Sequence, residues 1–289
     1  MFYQTSADRT ETAGVSARRV PWGAKAALVA LALTMRMNAP RAEEIDFGPY
    51  RAAAQYCAGE FPLRLALSPD RRILCFDGLV HRDQDLSLVN RLQPGGLFVV
   101  RSQGGDDVAM MRLADRLSDL DATVVVRGYC LIGCANYLVF ASRKTIVLRD
   151  GLVAWRPRMV DGFCLGFRTA RDGGLPRFDI GHCRSTSPAE SLSQELDTIY
   201  ATRRKFMSLR VVNRQFEEPP ESIYIRRTLS NINRSNPNGL AGLMWTWHPR
   251  YHQSSVATEI VYERYPESQE EVAALAQQLP FDVRVIYDP

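Results

Sequence analysis

Lysine is almost missing from this chain: of its 36 basic residues, only Lys25, Lys144 and Lys205 are not arginine. That bias belongs to composition and carries no function by itself. Histidine is scarce as well, at four (His81, His182, His248 and His252), and the six cysteines never form a C-x-x-C pair. A zinc site needs four closely spaced nitrogen or sulfur ligands, so neither a metal nor a cofactor is expected. No uninterrupted apolar run reaches the roughly 20 residues that a membrane-spanning helix requires. Nor is one sign of charge in excess. Residues 1–42 hold six basic and two acidic side chains, which leaves 30 of each over residues 43–289. The overall formal charge of +4 is therefore no sign of nucleic-acid binding, which needs a basic surface. No nucleic-acid partner is expected.

What is present begins with an export signature. Arg18, Arg19 and Lys25 precede a ten-residue stretch, Ala26 to Met35, that is apolar save for Thr34; Asn38-Ala-Pro-Arg-Ala42 follows. A basic n-region, a short apolar h-region and small residues at a cut site are the layout of a secretory signal peptide. Residues 1–42 are read as that signal, which places the protein in the periplasm or outside the cell. An uncleaved membrane anchor is the alternative. Cys57, Cys75, Cys130, Cys134, Cys164 and Cys183 all lie beyond it. An even number of cysteines in an exported chain favours disulfides over metal ligation. The local pairing 57–75, 130–134 and 164–183 is the working expectation.

Apolar periodicity sets the order of elements. Residues 43–61 form an N-terminal leader, helical around Tyr50–Tyr56. Leu63–Leu67 and Arg72–Phe76 read as strands on either side of the Ser68-Pro69-Asp70 turn. A short helix at Leu86–Leu92 is stopped by Pro94-Gly95-Gly96. Leu97–Arg101 and Thr123–Val126 are expected as buried strands. Between them Asp106 and Asp107 open a helix, where negative charge complements the N-terminal dipole. Gly133–Ala141 is apolar almost all round and reads as a buried helix. Strands are expected at Thr145–Leu148 and Leu152–Trp155, and a helix at Ala189–Val211. Residues 156–188 read as a cysteine-containing loop insertion, and Ser230–Gly239 as a turn-rich linker. Residues 216–289 read as a C-terminal α+β extension, with a capping box at Ser268 and Glu271. Strand–helix alternation of this kind argues for an α/β fold with a parallel core.

Two segments share one layout. The first is Phe98-Val-Val-Arg-Ser102-Gln-Gly104-Gly105-Asp106; the second is Val124-Val-Val-Arg-Gly128-Tyr-Cys130-Leu-Ile132-Gly133-Cys134. Each is a strand, a glycine turn and a helix. Two such turns can aim backbone N–H groups at one point, which is how an oxyanion hole is built.

The pattern Ser102-x-Gly-Gly followed by Gly128-x-Cys-x-Ile-Gly-Cys resembles the ClpP/crotonase superfamily. It is most similar to the exported bacterial ClpP-like branch, in which S-x-G-G precedes G-x-C-x-S-A-C. The resemblance covers residues 62–210, and implies a ClpP/crotonase-like core of stacked β-β-α units over residues 62–215. It also implies oxyanion donors at the backbone N–H groups of Gly104 and Gly133, with Gly105 as the turn glycine. The nucleophile falls on Ile132 and the base on Trp155. Isoleucine has no nucleophilic atom, and an indole N–H is a donor without basicity. The acidic third member has no assigned place; Asp161 and Asp197 are candidates by position alone.

The expectation is an exported ClpP-like protein that is inactive as a serine peptidase and has a binding or structural role. Its partner would be an unidentified protein or peptide, with homo-oligomerisation implied by family analogy. Two readings compete with it. One is crotonase-like acyl chemistry that uses the glycine turns without a serine, for which Asp106 and Asp107 are the nearest acids. The other is a divergent peptidase with Ser102 or Ser142 as nucleophile. Ser102 is more simply a residue that orders its glycine turn, and Cys130 with Cys134 a bonded pair rather than a nucleophile.

Overall fold

The computed structural model describes residues 45–59, 64–156, 163–168, 177–182, 189–210, 222–235, 243–252 and 255–289. The expected signal at 1–42 and the expected Cys164–Cys183 bridge lie outside the described residues. A mixed, mostly parallel sheet organises the chain. Its path is β1 (Leu65–Leu67), β2 (Ile73–Val80), β3 (Leu97–Gly105), β4 (Thr123–Leu131), β5 (Lys144–Val147) and β10 (Glu259–Tyr262). A seventh strand, β6 (Leu152–Ala154), pairs with β4 off this path. β1 is antiparallel to β2, and every other pair is parallel. β5 lies against Val124–Val126 of β4, and β6 against Tyr129–Leu131. One long strand therefore holds two successive partners on the same edge. Val99, Val100 and Val124–Val126 are completely buried, as expected of strands covered on both faces.

The first face carries α2 (Asp107–Asp119), a π-helical turn at Cys134–Leu138, and α3 (Ala189–Arg210). Asp106 caps α2, its carboxylate accepting the Ala109 N–H at 3.0 Å, an arrangement whose loss costs about 1 kcal/mol. Met110, Leu113 and Leu117 turn inward onto Phe98, Val124 and Val126. The second face holds two separate apolar patches. α1 (Gly48–Tyr56) covers Cys75, Val99, Val125 and Ile146. α5 (Gln269–Gln277) covers Tyr129, Leu131, Leu152 and Ala154. Ser268 caps α5 by accepting the Glu271 N–H at 3.3 Å, as its sequence anticipates.

Several boundaries differ from the sequence expectation. β2, β3 and β4 run on through their glycines instead of ending at them. The expected helix at 133–141 is a single π turn. Residues 156–188, read as a loop, contain an antiparallel hairpin, β7 (Phe163–Arg168) with β8 (Arg177–His182); Phe163, Leu165 and Phe167 alternate with a period of two, the strand signal. The expected linker at Ser230–Gly239 is helical as far as Ser235, because α4 (Ile223–Ser235) turns Ile225, Leu229 and Ile232 onto the main core. Those apolar anchors outweigh the weak helix propensity of Asn231 and Asn233. Residues 216–289, read as an extension, supply β10 to the sheet and α5 to its second face. They also supply a parallel pair, β9 (Leu243–Trp245) with β11 (Arg284–Ile286). Residues 46–289 make one unit, and no helix among the described residues is long and apolar enough to cross a membrane.

Candidate functional site: a junction of two glycine turns

The two turns meet. Gly104 has φ 111°, and a Cβ there would lie 2.8 Å from the Gly133 nitrogen and 2.9 Å from its Cα. Gly105 has φ 147°, and a Cβ on it would fall 2.0 Å from the Val80 carbonyl oxygen. Only glycine accommodates both the conformation and the contact. Ser102 is fully buried beneath the turn. Its hydroxyl donates to the Gly78 carbonyl at 2.6 Å and accepts the Gly104 N–H at 2.9 Å. Ser102 therefore orders the turn. The same bond engages the N–H of Gly104, one of the two expected oxyanion donors.

Ile132 stands at the other turn with φ 51°. A β-branched residue in the left-handed region is a true outlier, costing on the order of 1–2 kcal/mol. Strain of this size tends to sit at functional positions. Three bonds hold the residue there. Its N–H donates to the Ala154 carbonyl at 3.1 Å, its own carbonyl accepts the Asn136 N–H at 2.8 Å, and the Cys130–Cys134 disulfide closes around it. Both cysteines are fully buried and bonded, so neither offers a thiolate. Cys57 and Cys75 are bonded as well, joining the end of α1 to β2. Two disulfides are consistent with an oxidising environment.

The backbone brings Ile132 beside residue 154, but the side chains at 132 and 155 part. Ile132 packs with Tyr129, Leu131 and Ala154 under α5. Trp155 belongs to the main core, edge-on to Trp247 at 5.8 Å. Its indole N–H is buried without a partner, and its backbone pairs with Trp245. The alternation of side chains along β6 and Trp155 sends Ala154 to one side and Trp155 to the other. Ser142 is structural too: its hydroxyl donates to the Lys144 carbonyl at 2.9 Å. Asp197 is exposed, and Asp161 lies outside the described residues.

Sequence reasoning missed the partners of Asp107. This carboxylate, at the start of α2, has Oδ1 3.9 Å from where a Cβ on Gly133 would sit. Burial raises its pKa above the usual carboxylate value, opposed by the Arg203 charge and a hydrogen bond from Tyr137. Arg203 comes from α3 and Tyr137 from the π turn, so no local motif could have joined them. Gln103 Oε1 and Arg203 Nε are buried without hydrogen-bond partners. Among the described residues no cluster of His, Cys, Asp or Glu could hold a metal. No protein-family model matches the chain, and no curated protein matches it.

Proposed function

We propose that this is an exported, ClpP/crotonase-like protein that has no serine-peptidase chemistry and acts by binding. The observation that carries the proposal is Ile132: a side chain without a nucleophilic atom, held in a strained left-handed conformation where two glycine turns meet. The side chain is packed into an apolar cluster, and the histidine slot of the resembled family holds a tryptophan facing the opposite core. The signal-like segment at 1–42 and the two disulfides support export to the periplasm or beyond. A fluorophosphonate probe should leave the wild-type protein unlabelled. Labelling at any residue of the glycine junction would sink the proposal. The double variant Ile132→Ser/Trp155→His should also stay unlabelled, because the two side chains lie in different clusters.

A second reading rests on Asp107. A carboxylic acid with a raised pKa beside a glycine junction is a candidate for proton transfer in chemistry that needs no serine, such as that of acyl thioesters. Its test is a thermal-shift screen with acetyl- and crotonyl-thioesters. Stabilisation by a thioester that is lost in Asp107→Asn supports this reading, and no stabilisation by either thioester removes it.

A further inference from the structure

Three adjacent parallel strands each carry a charged residue at the same level: Phe76-Asp77-Gly78 on β2, Val100-Arg101-Ser102 on β3 and Val126-Arg127-Gly128 on β4. Asp77 pairs with Arg101 in register, and Val100 pairs with Val126, which brings Arg127 in next along the row. The sheet breaks register at this level, between Asp77 and Leu79 and between Val100 and Ser102. Gly78 and Gly128 take positive φ there, at 122° and 65°. Breaks of this kind re-aim side chains and recur beside binding sites. The row lies on the second face, in the interval between the patch under α1 and the patch under α5.

Its charges do not balance within the row. Among the described residues, Asp77 is the one carboxylate that bonds there. It accepts from Arg101 Nε at 3.0 Å, with Arg101 Nη2 at 2.5 Å, and from Arg127 Nη2 at 3.0 Å. Arg127 Nη2 also reaches the Cys57 carbonyl at 3.0 Å. Two guanidinium groups share one acid, leaving a surplus of one positive charge; Asp150 acts on Arg127 only through space. Arg127 Nε is buried without a hydrogen-bond partner. Tyr129 holds its ring 6.0 Å from the Arg101 guanidinium, and its hydroxyl has no hydrogen-bond partner among the described residues. The Arg101 side chain is 42% exposed, so the row is reachable from solvent. Asp150, whose charge acts on Arg127, lines a cleft of about 560 Å3 together with Ala54 of α1, Leu148 and Leu275 of α5.

The geometry points to a binding site for a carboxylate on this row, with Arg101 and Arg127 as the cations that hold it and the Tyr129 hydroxyl as a neutral donor. A guanidinium fork matches a planar carboxylate in shape. A single surplus charge among the bonded groups of the row suits a monoanion better than a phosphate dianion. The carboxylate belongs either to a small organic acid or to the free C-terminus of a peptide. The site uses none of the groups invoked in the chemistry of the glycine junction, so its success or failure is independent of that chemistry.

Isothermal titration at constant ionic strength tests it with sodium acetate, N-acetyl-Ala-Ala, the amide of that dipeptide, and inorganic phosphate. Saturable binding of acetate or of the free dipeptide is expected, at least tenfold weaker in Arg101→Gln. Tyr129→Phe keeps the ring against Phe281, removes only the hydroxyl, and should weaken binding severalfold. Tighter binding of the dipeptide than of acetate assigns the site to a peptide terminus; equal binding assigns it to small acids. The proposal is overturned if the amide binds as well as the free acid, if phosphate alone binds, if nothing binds, or if a folded Arg101→Gln protein binds unchanged.

Discussion

Gly104 and Gly133 meet backbone to backbone, so that a methyl group on Gly104 would stand 2.8 Å from the Gly133 nitrogen. No side chain can yield at this contact, because both partners are main chain. Gly104→Ala should therefore destabilise the protein by about 3 kcal/mol or more, from the clash together with the positive φ. Urea denaturation measures the loss. A variant as stable as wild type would show that the two turns do not meet in solution.

Ile132 offers a finer test of strain. Substitution by glycine removes the left-handed penalty but also some apolar packing, two effects of about 1–2 kcal/mol that act in opposite directions. Ile132→Gly should thus stay within about 1 kcal/mol of wild type. Ile132→Ser keeps most of the strain and loses the packing, so it should be less stable than the glycine variant. Melting temperatures of the two variants decide the matter, and the reverse order would refute the assigned backbone conformation.

The two disulfides close loops of unequal length, with sequence separations of 18 and 4. Chain entropy assigns about 3 kcal/mol to the longer and about 2 kcal/mol to the shorter. Cys57→Ala/Cys75→Ala should therefore lose more stability than Cys130→Ala/Cys134→Ala if loop closure dominates. If the shorter loop costs more, holding Ile132 in its conformation outweighs the entropy, and its backbone amides should then exchange faster in that variant.

Acid should weaken the fold through His252. The imidazole is buried against Trp247 and Tyr262, with Nε2 at 3.1 Å from the Trp247 carbonyl. Burial lowers its pKa from 6.5 to about 4. The unfolded chain then binds more protons than the native one between these values. The stability this group contributes is complete above the unfolded value and is lost progressively as pH falls toward about 4. Burial and the Arg250 charge depress His248 in the same direction, so the slope has two contributors. His252→Gln retains a donor for the Trp247 carbonyl and should flatten the dependence between pH 6.5 and 4. An unchanged slope in that variant would assign the acid sensitivity elsewhere.

Much of the fold was legible because local patterns and long-range burial agree. The valine runs of β3 and β4, the Asp106 cap and the Ser268–Glu271 box each specify an element by themselves. The π turn and the helical Ser230–Ser235 were not legible, since both follow from what the neighbouring core accepts. At the candidate site, the meeting of Gly104 with Gly133 followed from the two glycine turns. The engagement of the Gly104 N–H by Ser102 did not, because it depends on where one buried hydroxyl points.

The sequence by itself determined the inventory: two glycine turns, isoleucine and tryptophan at the two positions where the resembled family needs a nucleophile and a base, and the charged residues Asp77, Arg101 and Arg127 at or just past the ends of three expected strands. These are matters of residue type and spacing along the chain. Only the tertiary structure decided that Ile132 is left-handed, that its side chain and that of Trp155 enter different cores, and that Asp107 shares its surroundings with Tyr137 and Arg203. It also decided that these three charged residues form one row, within strands that run on past them. The physical reason is that strand register, strand alternation and helix packing join residues tens of positions apart. No local propensity carries that information.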